Sequence, residues 1–224
     1  MLPRPRSRAR GRCALLAATA LGAGCGGNTT DEFPAGVDPL DPEAAITWPA
    51  PTAADPHPEQ IVLTSGTASG HAFVHAAAFV HAPLADLWRA MRDPEVCVDR
   101  RQVTRWSSTP NVESGYDDSY RIHNVVESLI TVEFENTWRH RVTEGTRDSP
   151  QVVTARYQKT WGTSFITLLA GSFVARKVDD GTSSLQMTEH LDAYSQGPGT
   201  AEQTVRDYHA SVMARVHGQP LPSY

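Results

Sequence analysis

The segment from His71 to Val98 constrains the fold most, because its hydrophobic rhythm changes once and sharply. In His71 to Ala82 (HAFVHAAAFVHA), Phe73 and Phe79 fall on one pleat face and Val74 and Val80 on the other, with no strong breaker between them. At Pro83 the period becomes helical. A proline suits a first helical position, where its fixed torsion and missing N–H cost little, and Leu84, Leu87, Trp88 and Met91 then recur at helical spacing. Asp93-Pro94 closes that helix. From there to about Ala193 the chain mostly alternates, and it ends in an amphipathic helix near Thr200 to Val216. Strand, short helix, many strands and a final helix is the order expected of a sheet wrapped around a helix over a cavity.

The alternating region resolves into antiparallel meanders. In Ile130 to Val142, one face carries Ile130, Val132, Phe134, Trp138 and Val142, interrupted by Asn136 and His140, while charged and threonine side chains take the other. Gln151 to Trp161 groups Val153, Ala155, Tyr157 and Trp161, with Lys159 among them. Shorter strands are expected around Tyr120 to Val126 and Val103 to Ser108. Asp179-Asp180-Gly181 forms the hairpin turn between Gly171 to Val178 and Ser184 to Ala193. After the Gly197-Pro198-Gly199 break, Thr200 and Gln203 have the spacing of a capping box. Val205, Tyr208, Val212 and Val216 then form an apolar stripe that needs a sheet to cover it.

The first residues carry a different message. Arg4, Arg6, Arg8, Arg10 and Arg12 precede a short apolar stretch, Ala14 to Ala23, too short to span a bilayer as a permanent helix. This is the pattern of an export signal. Its tail, Leu21-Gly22-Ala23-Gly24-Cys25, resembles a bacterial lipoprotein box, with Gly22 standing where the pattern prefers Leu. That resemblance implies cleavage after Gly24 and lipidation of Cys25, and two or three acyl chains would anchor the protein at about 0.8 kcal/mol per buried methylene. Prolines at 34, 39, 42, 49, 51, 56 and 58 interrupt the following segment, which is expected to be a flexible tether. Ile61-Val62-Leu63 is expected as a short strand or lead-in, with a turn at Ser65-Gly66-Thr67. The expected organisation is a signal peptide over 1–24, a tether over 25–66 and a folded domain over 67–220. The expected location is the cell envelope, on the periplasmic face or the cell surface.

Charge and cysteine content agree with export. Removing the leader takes five arginines and no acidic residue, so the formal charge moves from −5 to −10. An acidic domain is a poor partner for nucleic acid. Arg100, Arg101 and Arg105 are expected to form a solvated loop edge. With Cys13 in the leader and Cys25 lipidated, Cys97 remains as a single thiol beside Val96 and Val98, expected to be buried and inert.

The residues from about His71 to Gly218 resemble the START-like helix-grip superfamily, also called SRPBCC, which includes polyketide cyclase-like and lipid-transfer-like members. The resemblance rests on the strand running into Ala82-Pro83-Leu84-Ala85-Asp86-Leu87-Trp88, on the hairpin Phe173 to Ala193 (FVARKVDDGTSSLQMTEHLDA), and on the terminal helix. It implies an α+β fold in which a curved antiparallel sheet grips a long C-terminal helix, with short helices after the first strand. It also implies an apolar tunnel that takes lipids, sterols, polyketides or other hydrophobic molecules.

On that fold Val132, Phe134, Trp138, Tyr157, Trp161 and Met187 are expected to line or underlie the cavity, opposite Tyr208 and Val212. Simple core packing is the competing role for each of them. His140 and Glu189 fall on apolar strand faces, where a polar group is either paired structurally or orients a ligand head group. An acid/base group of His140, Glu189 and Tyr157 would support a cyclase-like enzyme. His71 and His75 lie on one strand face with His81 further along, but their spacing separates successive side chains and no nearby Asp or Cys in sequence completes a metal shell, so surface histidines, no metal and no cofactor are expected. The expected function is a membrane-anchored binding or carrier protein for a hydrophobic molecule. The alternatives are an enzyme in the same cavity, or an interaction module with a filled core and no cavity.

Overall fold

The computed structural model describes residues 36–41 and 46–224; the leader and Cys25 lie outside the described residues. The elements are β1 (Val62–Ala68), β2 (His71–Val80), α1 (Leu84–Met91), α2 (Pro94–Cys97), β3 (Arg105–Pro110), β4 (Asp118–Glu127), β5 (Thr131–Gly145), β6 (Pro150–Gly162), β7 (Ile166–Lys177), β8 (Ser183–Ala193) and α3 (Pro198–Val216). The eight strands form one curved antiparallel sheet in the order β1-β2-β8-β7-β6-β5-β4-β3. Strands β3 to β8 are a simple meander. The hairpin β1-β2 joins it at β8, so α1 and α2 belong to the connection that carries the chain from one side of the sheet to the other edge.

The helix α3 packs against β1, β2, β8, α1 and α2. Val205, Tyr208 and Val212 are all buried, as the apolar stripe requires. Each such side chain contributes about 1.5–3 kcal/mol by leaving water. This is the helix-grip arrangement expected from the sequence. The start of α3 differs from expectation. Pro198 at its first turn, with its torsion already helical, begins the helix after Gly197, so Thr200 lies inside it and no side chain caps it. Instead, the Thr200 hydroxyl donates to Gln196 Oε1 and Gln203 Nε2 donates to Asp207 Oδ1.

Two further expectations are corrected. Ser65, Gly66 and Thr67 are not a turn but part of β1; the chain reverses at Ser69-Gly70, both with positive φ (52° and 88°), as a two-residue hairpin demands. The chain ahead of β1 is not free over its described part. Val37 is buried, Leu40 N–H donates to Ser172 Oγ at 2.9 Å, and Trp48 stacks on Phe79 at 5.1 Å between ring centroids. This strap crosses the outer face of the sheet, opposite α3. Arg101 is exposed, as expected of a loop edge, and also forms a forked pair with Asp207 (2.8 and 3.1 Å), while Arg100 donates to Ser211 Oγ, tying the loop after α2 to α3.

A bulge corrects the side-chain count along β6. Trp138 pairs with Tyr157 and Asn136 with Lys159, but Glu135 then pairs with Trp161, which leaves Thr160 as one extra residue. One inserted residue moves everything beyond it to the opposite face. Trp161 therefore lies outside, with its ring 5.9 Å from His123, and not beside Tyr157.

Candidate functional site

The inner face of the sheet carries a row of register neighbours: Tyr120 on β4, Trp138 on β5, Tyr157 on β6, Gly171 on β7, Glu189 on β8 and Val74 on β2. Gly171 is the gap in that row. The Tyr157 ring occupies the space where any Cβ at position 171 would sit, and its hydroxyl donates to Glu189 Oε2 at 2.7 Å. Trp138 stacks on the ring at 4.2 Å, and Phe173 and Tyr208 meet it edge-on at 6.0 and 6.2 Å. This aromatic cluster fills one end of the space between sheet and α3.

Beyond the cluster the space is open, as a cavity of about 250 Å³. Its wall is mostly apolar: Val126, Val132, Phe134, Leu169 and Leu191 from the sheet, and Tyr208 from α3. Ile130, Phe165 and Tyr194 also line it and stay solvent-exposed, so they form an apolar rim, with Phe165 and Tyr194 edge-on at 6.1 Å. Leu129, next to Ile130 at the β4-β5 turn, is fully exposed. Nothing among the described residues covers this rim.

The polar groups in the wall are few. Glu189 is 1% exposed, and burial pushes its carboxyl up to about 8, against the opposing hydrogen bond from Tyr157. It is thus largely protonated at neutral pH and able to give as well as accept a hydrogen bond. Asn136 is buried, and its Oδ1 has no hydrogen-bond partner among the described residues. Asp99 is raised by burial, while the backbone N–H groups of Arg101 and Gln102 hold it down. Burial pushes the Cys97 thiol up to about 12, and its Sγ lies 3.2 Å from Tyr120 Oη. Such a wall orients a mainly apolar guest by one or two hydrogen bonds.

Of the residues singled out in the sequence, Val132, Phe134, Tyr208 and Glu189 line the cavity. Trp138, Tyr157, Met187 and Val212 are fully buried behind it as core, and Trp161 is on the other face. His140 is in neither place. It is buried against Tyr120 (5.6 Å) and Trp138 (6.3 Å) with no partner for either ring nitrogen among the described residues, and desolvation, then the charge of Arg92, lowers it to about 3. It lies on β5, three strands or about 14 Å from Glu189 on β8, so the acid/base trio is not assembled. Sequence reasoning missed Leu169, Leu191, Thr204 and the rim. Asn136 gave a signal, as a polar residue on an apolar strand face.

No protein-family model and no curated protein matches the chain. Solved structures of similar fold exist. The lipid transfer and protein localization domain of human StarD13 superimposes with a TM-score of 0.49 at 15% identity, over 80% of this chain and 92% of that one. A START superfamily protein from Mycobacterium smegmatis gives 0.46 at 14%, over 66% and 99%. The Zhui aromatase/cyclase from Streptomyces sp. R1128 gives 0.43 at 12%, over 71% and 93%. The likeness is one of fold.

Proposed function

We propose that this protein binds a hydrophobic small molecule or a single-chain lipid in the cavity between sheet and α3, and that lipidated Cys25 holds it at a membrane of the cell envelope. The observation that carries the reading is an open, apolar-walled cavity in a core that is otherwise filled. A volume of about 250 Å³ lies just under the usual range for small-molecule sites, about 300–1,000 Å³, which favours a compact or single-chain guest over a two-chain phospholipid. Glu189 and Asn136 favour a guest with one hydroxyl or carbonyl. The rim of Leu129, Ile130, Phe165 and Tyr194 is the natural entrance for a guest arriving from a membrane.

The test is titration of the purified protein with a fluorescent fatty acid, alongside native mass spectrometry for co-purifying guests. Leu191→Trp, which fills the cavity, is expected to weaken uptake by at least about tenfold while the far-UV circular dichroism stays unchanged. Absence of any uptake and any guest, or uptake untouched by Leu191→Trp, would refute the reading. A second reading, acid/base chemistry on the same guest, is favoured by one contact: the Tyr157 to Glu189 hydrogen bond at the cavity wall. It requires that Glu189→Gln keeps uptake and abolishes turnover.

A further inference from the structure

On the outer face of the sheet, away from the cavity, two histidines and an aspartate converge. His75 on β2 and His190 on β8 are diagonal neighbours across the strand pair, since His190 is in register with Phe73 and His75 with Thr188. The strap brings Asp41 over both. Its Oδ2 lies 3.0 Å from His75 Nε2 and 2.6 Å from His190 Nε2, and one ligand atom from each of the three residues falls within 4.8 Å of the others. Asp41 is 34 residues from His75 and 149 from His190, which is why the sequence offered no acidic group to complete a shell around the β2 histidines.

We infer that Asp41, His75 and His190 form a binding site for a divalent transition-metal ion, best matched by Zn²⁺, that fastens the strap to the sheet. Two imidazole nitrogens and one carboxylate oxygen are a donor set that Zn²⁺ takes readily, with the remaining position left to water. Tetrahedral Zn²⁺ with bonds of about 2.0–2.2 Å holds its ligand atoms about 3.3 Å apart, so the observed spacings need only small side-chain rotations. The imidazoles are already aimed. The His190 ring packs on His71 at 4.7 Å and the His75 ring on Phe73 at 5.1 Å, which limits the freedom lost on binding. Strap contacts next to Asp41 place it independently of any ion, through Leu40 N–H to Ser172 Oγ and Arg156 to the Asp38 carbonyl. The ion would join a segment far away in sequence to two central strands. Metal binding is therefore linked to strap closure: an ion that binds only the closed strap stabilises it further.

The experiment uses the full chain, stripped with a chelator and titrated with Zn²⁺ by calorimetry, with Co²⁺ absorption as a second probe of coordination. One equivalent of saturable Zn²⁺ uptake is expected. It should weaken by roughly tenfold or more in Asp41→Asn, His75→Ala and His190→Ala, which remove ligands. It should persist in His81→Ala/His217→Ala, which removes two further histidines that share a carboxylate, Glu59. Zn²⁺ should also slow proteolysis within residues 36–41 in the wild type and not in His75→Ala. No uptake at millimolar Zn²⁺, or uptake and protection unchanged in His75→Ala and His190→Ala, would overturn the assignment. Fatty-acid uptake should be indifferent to all these substitutions, which separates this result from the cavity reading.

Discussion

Adding a single methyl group at position 171 probes the packing that makes the site. In a strand with free space, Gly→Ala stabilises by about 0.4–1 kcal/mol through the unfolded chain. Here the new Cβ would come closer than 3.0 Å to Cε1, Cζ and Oη of Tyr157. The ring has nowhere to go, because Trp138 stacks on it at 4.2 Å and Phe173 and Tyr208 stand against its edges. Overpacking of this kind costs about 1–3 kcal/mol. Displacing the hydroxyl leaves the buried Glu189 carboxyl without its donor, for about 1–3 kcal/mol more. Gly171→Ala should therefore destabilise by roughly 2–6 kcal/mol. At about 2–4 °C per kcal/mol for a domain of this size, the midpoint should fall by roughly 4–24 °C. Urea and thermal denaturation monitored by circular dichroism measure both. A double-mutant cycle with Tyr157→Leu, which removes the obstructing ring, should show a coupling of about 1–3 kcal/mol in the rescuing direction. Unchanged or increased stability of Gly171→Ala, or strict additivity in the cycle, would refute the argument that Gly171 exists to seat Tyr157 on Glu189.

The remaining predictions concern other parts of the structure. Because His140 is held neutral to about pH 3, below the ordinary value of 6.5, the unfolded chain takes up a proton first as pH falls, so stability is lost from pH 6.5 downward. At pH 5 the loss should be roughly 2 kcal/mol relative to pH 8, and the difference in pH dependence between wild type and His140→Phe, read by urea denaturation, should show it; parallel curves would disprove it. Trp161→Ala, on the outer face, should leave fatty-acid affinity within about twofold, whereas Phe134→Trp inside the cavity should weaken it; the reverse order would mean that the bulge at Thr160 is misassigned. Cys97, with its thiol pushed up to about 12, should resist iodoacetamide at pH 8 and become labelled in denaturant, as mapped by peptide mass spectrometry; rapid labelling of the native protein would contradict its burial.

The sequence displayed elements whose signal is local and repeated. The alternation in Ile130 to Val142 and the stripe Val205, Tyr208, Val212 became β5 and the buried face of α3, because a period of two or of 3.6 residues leaves only one way to bury an apolar face. Reading by period failed where a single residue broke it. The bulge at Thr160 turned Trp161 outward, and its cause is a pairing with β5 that lies in no local window. The capping box failed because Pro198, already set for a helix, started α3 before Thr200.

What the sequence determined by itself is the order of elements, the polarity of their faces and the presence of polar residues such as Asn136 and Glu189 on apolar ones. Those follow from side-chain chemistry and backbone periodicity, which act over a few residues. Only the tertiary structure decided that Tyr157 reaches across Gly171 to Glu189, that the aromatic residues fill one end of the grip and leave the other hollow, and that Asp41 meets His75 and His190. These contacts join residues 32 to 149 positions apart, and their existence depends on which strands pair and where the register slips, which is settled by the packing of the whole sheet.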